Sequence, residues 1–80
     1  MRSDAEWAAE AKRILRAEMV RRGITYDELA KKLAEIGVAQ SPPGLRMTIN
    51  RGRFRAMLLL QCLTAMGCRS LRLVDPEEDR

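Results

Sequence analysis

The sequence predicts an all-α protein, a compact bundle of four to five short helices that contains a helix-turn-helix-like unit, with or without a short strand at its C-terminal end. Three observations predict it. Apolar residues recur at helical spacing in four successive segments; a glycine closes each segment, at Gly23, Gly37, Gly52 and Gly67; and cap-type residues stand before the first three. Eighty residues make one domain, and a chain of this length buries only roughly 60% of its unfolded surface, so the core must be economical or shared with a partner. Residues 1–74 are expected to form that domain and 75–80 a disordered acidic tail.

The first helix is expected over Asp4 to Arg22, with Trp7, Ala11, Ile14 or Leu15, and Met19 on its buried face. Ser3 or Asp4 can cap it, Glu18 and Arg22 form an i,i+4 pair, and Gly23 supplies the left-handed residue that stops it. A second start follows at once, because Thr25 with Glu28 three residues on is the capping-box pattern and Ile24 can staple against Leu29. This helix should run from Tyr26 to about Ile36, burying Leu29, Ala30, Leu33 and Ile36.

The third helix begins after VAQSPPG, with Ser41 as N-cap and Pro42 at the first helical position, where its missing donor costs nothing. Leu45 and Ile49 give it one narrow apolar edge, and Gly52 ends it. The fourth, from Arg53 or Phe54 to Met66, is apolar nearly all round, which marks the centre of a core or half of an interface. LRLV at 71–74 reads equally as a short strand or a packed extended tail. Trp7 reads as core, and Met19, Met57 and Met66 as core filler, whereas Met47 falls on an otherwise polar helix side.

Charge is unevenly placed. Residues 1–40 carry eight basic and seven acidic side chains, residues 41–74 carry six arginines and no acid, and residues 75–80 carry four acids and one arginine. The middle stretch is a positive field that suits a polyanion or an acidic protein surface. The longest apolar run, Ala56 to Leu60, is far short of the ~20 residues that span a bilayer, and the N-terminus has acids where a signal peptide has its apolar centre. A cytoplasmic protein without membrane contact is expected. Two cysteines and no histidine exclude the usual four-ligand zinc sites, so no metal or other cofactor is expected; Cys62 and Cys68 are expected as free buried thiols, a single disulfide between them being allowed by count but out of keeping with an unexported chain. Catalysis is not expected either: there is no Gly-rich phosphate loop, no acid between Glu35 and Asp75, and no activator for Ser41 or Ser70.

GITYDELAKKL, at 23–33, is similar to the opening of the lambda-repressor/Cro-like helix-turn-helix, and INRG at 49–52 followed by an apolar helix resembles the way that motif closes. The interval from Leu29 to Gly52 is several residues longer than in that motif, with the extra length in the turn, AEIGVAQSPP. A second resemblance runs from Trp7 to about Leu73, through LRAEMVRRGITYDELAKKLAEIGV, INRGRF and LLLQCLTAMG, to a family of small bacterial domains of unknown function. In that family a polar Asn-Lys pair stands where this chain has Met47 and Thr48. The helix-turn-helix likeness implies a third helix presented to a major groove while the second crosses the backbone, in a small homodimeric transcriptional regulator that binds double-stranded DNA.

On that reading the nucleic-acid-binding candidates are Ser41, Arg46, Thr48, Asn50, Arg51, Arg53 and Arg55. Arg46 would read guanine and Thr48 a thymine methyl, with plain solvent exposure the other role open to both, and Asn50 would bond to a base or phosphate or help to end the helix. Arg51 is a phosphate contact or a helix-end cation, and Arg53 and Arg55 hold phosphates. Thr25 and Tyr26 are further candidate phosphate contacts from the start of the second helix, with packing on the first helix the other role open to Tyr26. The competing expectation is a protein-interaction module on the same scaffold, docking an acidic protein partner through the same arginines and Met47.

Overall fold

The computed structural model describes residues 1–71 and 73, and contains four helices: α1 (Asp4–Arg22), α2 (Tyr26–Glu35), α3 (Pro42–Arg51) and α4 (Ala56–Ala65). No strand occurs among the described residues; the candidate strand at 71–74 lies half outside them, and the tail at 75–80 wholly so. None of these helices is long and apolar enough to cross a membrane.

Local chemistry places each start. The Ser3 hydroxyl accepts from the Glu6 N–H while the Glu6 carboxylate accepts from the Ser3 N–H, and Thr25 and Glu28 repeat the arrangement at α2. These bonds favour the ionised acids, so the Glu6 and Glu28 carboxyls are held below the ordinary glutamate range. Their contribution to stability is therefore present above that range and lost as pH falls through the lowered values. Ser41 caps α3 through its bond from the Gly44 N–H, with Pro42 opening the helix.

Three of the four ends share one device. After α1, α2 and α4, the N–H groups of a glycine and of the next residue bond back to two carbonyls of the last turn, as in the Schellman motif. The residue that follows each glycine, Ile24, Val38 or Cys68, is thereby turned back against the core. This explains why Ile36, expected on the buried face of α2, is 45% exposed: it lies beyond the helix, and Val38 takes the apolar position in its stead.

The four helices form two layers. α3 and α4 each pack on both α1 and α2, while the backbones of α1 and α2, and those of α3 and α4, do not come close. Leu15, Leu29, Leu33, Leu45, Ile49 and Cys62 are fully buried where these elements meet. The support behind α3 is thus α1 and α2, not the apolar helix next to it in sequence.

α4 starts later than expected, at Ala56, and is not the centre of the core. Leu58, Cys62, Leu63 and Met66 are buried, but Met57 and Leu60 are 59% and 62% exposed. Met57 is therefore not core filler. Arg22 of α1 reaches the far end of α4, donating from Nη1 to the Met66 carbonyl at 3.0 Å, and also pairs with Glu18 as expected.

Trp7 is the clearest departure from expectation, at 57% exposed, with the Arg2 guanidinium stacked 4.9 Å from its ring. Ala8, not Trp7, is the residue of this turn that meets Gly52 after α3; Trp7 stands about 100° away round the helix, at the rim of that contact, in an open concavity with Asp4 and Arg53.

Burial of Cys62 pushes its thiol up to about 11, whereas Cys68 is half-buried and donates to the Ser70 carbonyl. At pH 8 iodoacetamide should modify Cys68 first, with Cys62 reacting only as fast as the bundle opens. Equal labelling rates at the two sites, read by peptide mass mapping, would contradict the packing of α4.

Candidate nucleic-acid interface

α3 is anchored by Leu45 and Ile49, both fully buried, so its other side must face outward. At 100° per residue, Arg46, Asn50, Met47 and Arg51 fan across about 140° of that side, with Asn50 and Met47 in the middle and an arginine at each edge. An open groove of about 750 Å³ follows this face, walled by Pro42, Pro43, Arg46, Met47, Asn50 and Arg51, with Asp27 of α2. Met47 is 56% exposed, and its sulfur accepts from Arg51 Nη2 at 3.4 Å. Arg46 lies against α2, its guanidinium carbon 5.3 Å from the centre of the Tyr26 ring.

The residues expected to act together are split between two places. Thr48 points away from Arg46, about 200° round the helix, and lines a second concavity with Gln40, Arg53, Phe54, Arg55 and Met57. That concavity adjoins the start of α4, where Arg55 occupies the N-cap position without a side-chain cap bond and the first turn holds no acid. Two exposed arginines therefore flank an uncapped positive helix end, an arrangement that an anion would relieve.

The hydroxyls from the candidate set are mostly engaged. Ser41 Oγ accepts from the Gly44 N–H. Thr25 Oγ1 accepts from the Glu28 N–H and donates to the Glu28 carboxylate, so its expected role as a phosphate contact would require breaking the capping box. Tyr26 does pack towards α1, accepting at its hydroxyl from Arg16 Nη1 at 3.0 Å. Arg16 is the residue that sequence reasoning passed over. It stands ten positions before Tyr26, and only the α1–α2 turn brings the two together.

Electrostatics sharpen the contrast between halves of the molecule. Among the described residues the ion pairs form at Glu10 and Glu18 of α1, with Arg2, Arg13, Arg21 and Arg22. No carboxylate pairs with Arg46, Arg51, Arg53 or Arg55 among those residues. No group of acids or cysteines there could hold a metal ion.

Fold and site together define a small all-α protein with an outward helix whose arginines pair with no carboxylate among the described residues. The chain belongs to the family described as a domain of unknown function, DUF6471, whose model matches residues 7–71. No curated protein matches the chain, and no solved structure does.

Proposed function

We infer that this protein binds double-stranded DNA through α3, as a small homodimeric transcriptional regulator built on a helix-turn-helix-like unit. The observation that carries the reading is the exposed face of α3, on which Arg46, Asn50 and Arg51 converge with no carboxylate paired to either arginine among the described residues. α2 packs across α3, as the first helix of such a unit does, although the connector of six residues, 36–41, exceeds the three to four usual in that motif.

The roles within the face follow from position. Asn50, at the middle, can bond bidentately to adenine, and Met47 beside it offers apolar contact to a thymine methyl. Arg46 and Arg51 at the two edges suit the phosphates that border a groove, and Thr48, Arg53 and Arg55 at the start of α4 suit a further phosphate. This moves base reading from Arg46 and Thr48 to Asn50 and Met47. Dimerisation is supported by Met57 and Leu60, an exposed apolar pair one turn apart on α4. A cytoplasmic location accords with this role.

The test is fluorescence anisotropy with labelled duplex DNA, of mixed sequence and from upstream of the protein's own gene, at 50 and 200 mM salt. Salt-sensitive binding that is tighter for the upstream duplex is expected. Absence of binding at the lower salt would instead favour the protein-interaction reading, in which exposed Met47 between the arginines docks an acidic protein.

A further inference from the structure

The contacts around Tyr26 join three helices in one basic cluster. Arg16 of α1 donates to the Tyr26 hydroxyl, its guanidinium carbon 5.6 Å from the ring centre; Arg46 of α3 stands 5.3 Å from the same centre. Two guanidiniums thus share one phenol, and among the described residues neither is paired with a carboxylate. Like charges gathered on one side chain repel, so the arrangement is most favourable when an anion lies between them. The ring face attracts both cations and holds them in place in the absence of that anion.

Donor chemistry agrees with a phosphate. Arg16 spends one of the five guanidinium N–H groups on Tyr26, Arg46 has no hydrogen bond to protein among the described residues, and the Tyr26 O–H proton is not used in accepting from Arg16. The cluster therefore offers planar forks from two directions and a hydroxyl donor, the set that matches phosphate oxygens. Lys12 and Arg16 line one concavity along α1 with Arg13 and Arg21, the last two held in ion pairs with Glu10 and Glu18.

We propose that Arg16, Tyr26 and Arg46 form a clamp for one backbone phosphodiester of the duplex at the edge of α3. The proposal rests on the DNA-binding reading and deepens it: α1 takes part in the interface, and Arg46 is pre-set on Tyr26 for phosphate. Such a contact adds affinity and register without sequence preference.

The experiment is anisotropy of the full chain, as wild type, Arg16→Gln and Arg16→Lys, with two unrelated duplexes across 50–200 mM salt, the fold being checked by circular dichroism. Arg16→Gln should weaken both duplexes by a similar factor, about five- to tenfold, and reduce the slope of log K against log salt by about 0.9. Arg16→Lys should restore the slope but only part of the affinity, because lysine keeps the charge and loses the planar fork. Wild-type affinity and slope in Arg16→Gln would overturn the clamp while leaving DNA binding intact; full affinity in Arg16→Lys would replace the clamp by diffuse attraction. Failure of the wild-type chain to bind either duplex would overturn both the clamp and the reading beneath it.

Discussion

Replacing Gly52 with alanine is expected to destabilise the bundle by about 2–5 kcal/mol, the sum of a left-handed backbone and an overpacked contact. Gly52 is buried at the end of α3 with φ of 69°, where an L-residue costs about 1–2 kcal/mol. A Cβ there would stand 2.6 Å from the Ala8 carbonyl carbon and closer still to its oxygen, so α1 would have to move off the turn between α3 and α4. Backbone cannot rotate away as a side chain can. An 80-residue domain has about 4–12 kcal/mol of stability in all, so the melting temperature should drop by about 8 °C or more.

Gly23→Ala is the control for that result. Its φ of 64° is nearly the same, yet nothing lies within 4 Å of a Cβ there, so only the backbone cost of about 1–2 kcal/mol should appear. Thermal melts of the two variants separate the terms. Equal shifts would mean that α1 does not approach the α3 end closely.

The second large effect concerns binding. Arg46→Ala with Arg51→Ala should weaken duplex binding by on the order of 100-fold at 50 mM salt, about tenfold for each charged contact. The slope of log K against log salt should fall by nearly 2, since two phosphate contacts are lost. Both side chains are exposed, so the helical fold should be unchanged. Full affinity in this double variant, measured by anisotropy, would remove α3 from the interface.

Much of the architecture was legible from local chemistry. Ser3, Thr25 and Ser41 cap helices whose first residues are those expected, and the stops after α1, α2 and α3 follow from the glycines or their neighbours. These signals are local because a cap or a left-handed turn is settled by a few residues and their own hydrogen bonds. The core of α2 and α3 was equally plain, since Leu29, Ala30, Leu33, Leu45 and Ile49 repeat at helical period.

Burial failed as a reading where partners were needed to produce it. Trp7 and Met57 have apolar side chains at core-like spacing, but the first stands at the rim of the Ala8–Gly52 contact, the second lines an open concavity with Thr48 and Phe54, and both stay more than half exposed. Periodicity tells which residues share a face and not whether another helix covers it. The candidate site divides for the same reason. Arg46, Asn50 and Arg51 were recoverable as one face, whereas the separation of Thr48 and the engagement of Thr25 depend on what the rest of the chain does with their neighbours.

By itself, then, the sequence determined the all-α class, the caps and stops of the first three helices, and the net positive excess over residues 41–74, because each depends on residue type and near neighbours alone. Only the tertiary structure decided that α3 leans on α1 and α2, that Gly52 meets the backbone of Ala8, and that Arg16 and Arg46 share Tyr26. Those contacts join residues distant in the chain, and packing in three dimensions selects them, with no pattern along the sequence to record the choice.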